Sequence, residues 1–204
     1  TKTGATPVAV EKVETEYGDQ YKFKYDYTAL AGAKFEFKAA EDITTADGTV
    51  RAHKGDVVAT GTTDAQGQIQ TPELYLGKYT ATEISAPNGF IMNTDPIAFE
   101  LKYAGQEVTV TSTSLEAKNG FQQLDVSLNK QEESITGWKD NLPVIKNIAA
   151  NGQTFGLFTQ GETKIGDTVI PSESLVATTT VKDGKGEFGA IQLPEGYYYV
   201  KELD

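Results

Sequence analysis

Apolar and polar residues alternate in short runs along most of the chain, with single Gly and Pro positions between them, and this period of two predicts β-strands. Val8-Ala9-Val10-Glu11-Lys12-Val13, Lys34-Phe35-Glu36-Phe37 and Leu124-Asp125-Val126-Ser127-Leu128-Asn129-Lys130 are such runs. One run comes back. Gly77-Lys78-Tyr79-Thr80-Ala81-Thr82-Glu83 recurs about 119 residues later as Gly196-Tyr197-Tyr198-Tyr199-Val200-Lys201-Glu202. Gly32-Ala33-Lys34-Phe35 answers to Gly152-Gln153-Thr154-Phe155, and Asp64-Ala65-Gln66-Gly67 to Asp183-Gly184-Lys185-Gly186, in the same order. Two modules of one all-β fold are therefore expected, over residues 1–120 and 121–204.

Strand geometry gives the repeated positions a direction. Tyr and Glu lie four residues apart in each copy, so both share the face that Ala81 or Val200 makes apolar, and each Glu is expected to enter a core. Lys12 shares a face with Val8 and Val10, and Lys130 with Leu124, Val126 and Leu128. A single strand-end lysine would snorkel to water. Lysine on the apolar side in both copies, with a matching inward carboxylate, instead points to chemistry in a dry interior.

Composition removes several function classes. The formal charge of −11 excludes a basic nucleic-acid footprint, opposes adhesion to an anionic membrane and suits a soluble secreted surface. With no cysteine and one histidine, neither disulfides nor thiolate metal sites can hold the fold, and no metal or cofactor is expected. No stretch approaches the roughly 18 apolar residues of a membrane span. The start, Thr1-Lys2-Thr3-Gly4, lacks the basic and apolar regions of a signal peptide, as expected of a processed protein or a fragment.

Weaker constellations read as structure. His53 lies in a charged, turn-rich stretch and reads as a solvated loop residue. Asp42 and Asp47 beside Gly48 could take calcium, but they do not follow an EF-hand spacing and fit a polar hairpin turn better. Gly161 to Pro171 reads as a loop with Trp138 a lone aromatic near it, and of Tyr197, Tyr198 and Tyr199 only two can share a face, with Tyr198 in the core. Glu83 and Glu202, in separate domains, cannot form a glycosidase pair, which needs about 5 to 9.5 Å.

The first copy is similar to a known family. Lys12-Val13-Glu14-Thr15, Gly32-Ala33-Lys34-Phe35-Glu36-Phe37, Asp64-Ala65-Gln66-Gly67 and Pro96-Ile97-Ala98-Phe99-Glu100-Leu101 resemble the collagen-adhesin B-type (CnaB, prealbumin-like) domains of Gram-positive surface proteins and pilins. The most specific piece is Tyr79-Thr80-Ala81-Thr82-Glu83-Ile84-Ser85-Ala86-Pro87-Asn88-Gly89-Phe90, which resembles the family box Y-x-x-x-E-x-x-A-P-x-G-Y with Phe in the last place. The resemblance implies two tandem immunoglobulin-like or prealbumin-like β-sandwiches. It also implies an isopeptide bond between a first-strand lysine and a last-strand Asn or Asp, assisted by the box Glu: here Lys12, Asn119 and Glu83.

Such chemistry has a physical basis. Burial disfavours an ammonium and frees the amine lone pair, which would make Lys12 the nucleophile. Glu83 would hydrogen-bond the Asn119 side-chain carbonyl and pass a proton to the departing ammonia. The simpler alternative is a buried Lys12–Glu83 ion pair without a bond. Asn119, in Asn119-Gly120, could equally mark a turn. Its place after the β-rich runs Val108-Thr109-Val110 and Thr113-Ser114-Leu115-Glu116-Ala117 favours a closing strand.

In the second copy Lys130 and Glu202 match, but the sequence reaches Asp204 without the Ala-Pro-x-Gly-Tyr tail. This copy is therefore expected to lack its closing strands and an Asn partner, and to leave an open edge able to exchange a strand with another chain. The resemblance implies a stalk or shaft module outside the cell, anchored to the wall through a region beyond these residues, with neighbouring domains as partners. Leu142-Pro143-Val144-Ile145 and Leu193-Pro194-Glu195-Gly196 begin like a sorting signal and do not complete it, and the pilin motif W-x-x-x-V-x-V-Y-P-K is not matched at Trp138. The alternative is an adhesin that binds host matrix protein or glycan directly. No enzyme acting on an external substrate is expected.

Overall fold

The computed structural model describes residues 1–105 and 112–203, so the Val108-Thr109-Val110 run lies outside the described residues. The described chain is all-β and falls into two compact units: Thr1–Thr6 with Asp26–Gln122, and Pro7–Tyr25 with Gln123–Asp204. Residues 7–25, expected in the first sandwich, therefore cluster with the second unit. They form the far part of a long hairpin, β1 (Lys2–Thr15) and β2 (Gly18–Ala29), which turns at Glu16-Tyr17.

In the first unit β3 (Lys34–Ala39) buries Phe35, Phe37 and Ala39 on one face, as strict alternation requires. The small hairpin β4 (Ile43–Thr44) and β5 (Val50–Ala52) leads to β6 (Val57–Thr62), then β7 (Gly77–Ser85), β8 (Ile97–Leu101) and β9 (Ala117–Asn119). Strands β6-β3-β7-β8 make one antiparallel sheet. The base of β1 pairs in parallel with β9, setting Lys2 opposite Ala117 and Gly4 opposite Asn119. Ala33, Phe35, Phe37, Ala59 and Ala81 form the core, against which Phe99, Leu115 and Ala117 pack. On β7, Tyr79, Ala81 and Glu83 all point inward, as the four-residue spacing required. The Tyr79 hydroxyl donates to the Tyr75 carbonyl at 2.6 Å, so a buried phenol keeps a partner.

The second unit contains β10 (Leu124–Asn129), β11 (Gln131–Lys139), β12 (Leu142–Ala149), β13 (Thr154–Thr159), β14 (Thr163–Ile165), β15 (Thr168–Ile170), β16 (Leu175–Thr180), β17 (Lys185–Ile191) and β18 (Tyr198–Glu202). Strands β18-β13-β16 form a sheet that β2 extends in parallel at Leu175 and Gln20, where Gln20 Nε2 also donates to the Val176 carbonyl at 3.0 Å. Leu157, Val176, Ala177 and Leu193 form the core, with Phe23 of β2 and Tyr198 packed on it. Burial pushes the Tyr198 phenol up to about 12, and drives up Tyr25, which Tyr198 adjoins. The stretch read as a loop, Gly161 to Pro171, is the hairpin β14–β15. Its glycines and proline mark only its ends and turn, while Ile165 and Ile170 bury inward. Val200, expected in the core like Ala81, is 38% exposed, because β18 has a neighbour on one side only among the described residues.

Backbone hydrogen bonds align the copies more sharply than the residues do. Lys2 N–H donates to the Gly67 carbonyl at 2.7 Å and Leu30 N–H to the Lys2 carbonyl at 3.1 Å. In the second copy Lys130 N–H donates to Gly184 at 2.8 Å and Ala150 N–H to Lys130 at 3.2 Å. Lys2 thus corresponds to Lys130, Leu30 to Ala150, and Gly67 to Gly184 rather than to Gly186. Each lysine opens a long hairpin, β1–β2 in one copy and β11–β12 in the other.

Candidate cross-link site

Three polar side chains meet inside the first unit: Lys2 from the start of β1, Glu83 from β7 and Asn119 from the end of β9, exposed by only 2%, 2% and 1%. Local patterning delivers each one. Glu83 is the third inward residue of β7 and pairs across the sheet with Phe35, whose ring lies 5.4 Å from the Lys2 ammonium. The parallel β1–β9 register brings Lys2 and Asn119 to the same end of the sandwich.

Every pair in the trio is in contact. Lys2 Nζ lies 2.5 Å from Asn119 Oδ1 and 3.2 Å from Glu83 Oε2, and Asn119 Nδ2 donates to Glu83 Oε1 at 2.8 Å. Glu83 Oε2 also accepts the Asn93 backbone N–H at 2.9 Å. Burial holds the Lys2 ammonium below its ordinary pKa, and this outweighs the hydrogen bond and charge of Glu83 that favour the protonated form. The contact between Glu83 and Asn119 differs from the expected one. Glu83 engages the amide nitrogen, because Lys2 already occupies the Asn119 oxygen. One carboxylate therefore bridges a buried amine and the nitrogen that would leave.

Glu83 and Asn119 come together as the sequence predicts, but Lys12 does not join them. Lys12 sits on the far part of β1, 55% exposed by its side chain, and pairs at 2.6 Å with Asp19 across the hairpin, which holds its ammonium above the usual value. Spacing misdirects the assignment. Lys12 precedes Phe35 by 23 residues, close to the 25 between Lys130 and Phe155, whereas Lys2 precedes it by 33 because the first hairpin is longer. The missed signal is Gly18, whose positive φ follows the Glu16-Tyr17 turn and makes Val8–Val13 a hairpin arm rather than a core strand. Asn93 is likewise missed, since its backbone rather than its side chain serves the site. Lys12→Ala is expected to leave the thermal melting curve essentially unchanged, as befits an exposed, solvent-screened pair.

The second copy holds a looser version. Lys130 Nζ lies 2.8 Å from Glu202 Oε2 and 5.8 Å from the Phe155 ring, and the two side chains remain 33% and 35% exposed. The other candidates act within turns. Asp47 accepts Thr45 Oγ1 at 2.6 Å and the Thr49 N–H at 3.1 Å, closing the β4–β5 hairpin, and Asp42 accepts the Lys54 N–H at 2.8 Å. The exposed His53 ring lies 3.7 Å from Asp42.

Comparison with known proteins follows the same lines. Residues 20–115 match the SpaA prealbumin-like fold domain, a span that stops short of both Lys2 and Asn119. No curated protein is a significant match. Among solved structures, the Bacillus anthracis TIE protein aligns over 98% of this chain and 28% of its own at 19% identity, with a TM-score of 0.50. BcpA, the major pilin subunit of Bacillus cereus, aligns over 86% and 59% at 22% identity with a TM-score of 0.32. The full-length major pilin SpaD of Corynebacterium diphtheriae aligns over 78% and 50% at 19% identity with a TM-score of 0.34. The chain thus spans between 28% and 59% of these three proteins. Residues 20–115 are thus similar to the SpaA prealbumin-like fold domain, and that span includes the Tyr79–Phe90 box.

Proposed function

We propose that the chain is a structural stalk or shaft module of a Gram-positive cell-wall-anchored surface protein or pilin, stapled by an autocatalytic isopeptide bond between Lys2 and Asn119. The buried three-way contact of Lys2, Glu83 and Asn119 carries this reading. The neutral Lys2 amine attacks Asn119 Cγ, the new C–N bond forms, and the C–Nδ2 bond breaks. Glu83 takes the proton from Nζ through Oε2 and returns one to Nδ2, so that ammonia leaves and the carboxylate is regenerated. Contact distance supplies the effective concentration that such a slow reaction needs. The protein modifies itself once and does not turn over.

A staple between the first and last strands of the unit would carry tension before the hydrogen-bond ladder sheared, which suits a load-bearing extracellular array. It would also survive reducing conditions that open a disulfide. Intact mass under denaturing conditions tests the reading. The unaltered chain and Lys12→Ala are expected to be short by one ammonia, while Lys2→Ala, Glu83→Ala and Asn119→Ala should have full mass. Full mass in the unaltered chain would leave only a buried ion pair; a loss abolished by Lys12→Ala would return the role to that residue.

A further inference from the structure

We infer that the β11–β12 hairpin is a docking element for a further prealbumin-like module, which it would grip as the β1–β2 hairpin grips the second unit. The inference does not depend on the isopeptide bond. It rests on the correspondence of Lys2 with Lys130 and of Leu30 with Ala150, which sets the two hairpins in register. Counting back from these anchors, Phe23 corresponds to Pro143 and Tyr25 to Ile145. Tyr21, Phe23 and Tyr25 form the half-buried face of β2, and Phe23 packs on the Leu157, Val176, Ala177 and Leu193 core.

The same face of the second hairpin is apolar and uncovered. Trp138 stands opposite Pro143 and Ile135 opposite Ile145, and a bulge between Ile135 and Gly137 puts both β11 residues on the Pro143–Ile145 side. Strict alternation would have set Ile135 and Trp138 on opposite faces. Trp138 is 70% exposed, Ile135 56% and Ile145 55%. A cluster of one Trp, one Pro and two Ile on a two-stranded ribbon has little reason to form for solvent alone. The matching face of β1–β2 shows what covers it: the outer edge of a strand like β16 and the core beside it. A module of this fold with that edge open is the fitting occupant. Within this chain the β16 edge is already taken by β2.

Trp138 is the sole tryptophan, so its fluorescence reads the contact directly. The acceptor is the full chain with Pro7–Tyr25 replaced by an Asn-Gly turn, which uncovers β16, and with Trp138→Phe to silence it. Titrating it into the unaltered chain should shift Trp138 emission to the blue and lower acrylamide quenching several-fold. Ile145→Asp in the unaltered chain should abolish both. Unchanged quenching at saturating, folded acceptor overturns the inference, and a blue shift of the unaltered chain on its own at rising concentration overturns it in favour of pairing between two copies. If the shortened acceptor does not fold, the hairpin can be moved instead: Ser134–Lys146 replaces Thr6–Asp26, which keeps Pro143 at the place of Phe23 and Ile145 at that of Tyr25, in a chain whose original Trp138 is Phe. A buried tryptophan in that chimera supports docking; an exposed one, or a chimera that does not fold, overturns it. The mass measurement on Lys2 and Asn119 is independent of every one of these outcomes.

Discussion

Glu83→Gln is expected to leave the first unit uncrosslinked and to lower its stability by about 5 kcal/mol, the chain-entropy value for closing a loop on the order of 100 residues. For a domain of this size that corresponds to a fall in melting temperature of roughly 20 °C or more. The substitution keeps the volume of the side chain. It removes the group that can take a proton from Lys2 and hand one to Asn119, and it places an amide where the Asn93 N–H and the Lys2 amine both need an acceptor. Asn119→Ala separates the contributions, because it keeps the Lys2–Glu83 contact and loses only the amide. Similar losses in the two variants would assign most of the stability to the staple. A much larger loss in Glu83→Gln would show that leaving Lys2 buried without its carboxylate dominates, a penalty of about 3–5 kcal/mol for broken buried pairs. A melting curve for Glu83→Gln that overlays the unaltered chain would sink the staple altogether.

Gly67→Ala is the second large effect, expected to cost about 3 kcal/mol or more and to leave a fraction of the molecules at full mass. Gly67 has φ near +69°, which L side chains rarely adopt, and a Cβ there would lie 2.1 Å from the Lys2 carbonyl oxygen and 3.3 Å from the Leu30 nitrogen. These are backbone atoms of the strand start, tied to Gly67 by the Lys2 N–H bond, so relief must come from moving Lys2 itself. Displacing β1 there breaks the register that sets Lys2 beside Asn119. Gly48→Ala is the matched comparison. Its φ of +79° carries the same kind of strain, but nothing lies within 4 Å of its Cβ, so only about 1 kcal/mol is expected. Equal behaviour of the two alanine variants, in melts and in the fraction cross-linked, would show that the approach to Lys2 does not matter.

Much of this protein can be read one residue at a time. The period-two runs fixed the all-β class, and the recurrence of Tyr and Glu four apart announced a repeated module. The inward face of Tyr79, Ala81 and Glu83 follows from alternation alone, since adjacent side chains on a strand must point opposite ways. Asn119 could be picked out only through the resemblance to CnaB-type domains, which implies an Asn or Asp in the last strand, since Asn119-Gly120 by itself reads equally as a turn. Burial of Ile165 and Ile170 was hidden for a related reason: Gly161, Gly166 and Pro171 dominate a short hairpin whose inward residues are few.

The choice of lysine lies beyond any local rule. Lys2 and Lys12 occupy one 14-residue strand, and both stand on a face with apolar neighbours. Which is dry depends on where β9 pairs along β1 and where the chain passes from the first unit into the second, and both are contacts made far apart in sequence. The sequence by itself determined the all-β class, the repeat and the inward face of Glu83, because these follow from the two-residue period of a single strand. Only the tertiary structure decided that Lys2 meets Glu83 and Asn119 while Lys12 stays in water beside Asp19, because desolvation is a property of what surrounds a side chain and not of the strand that carries it.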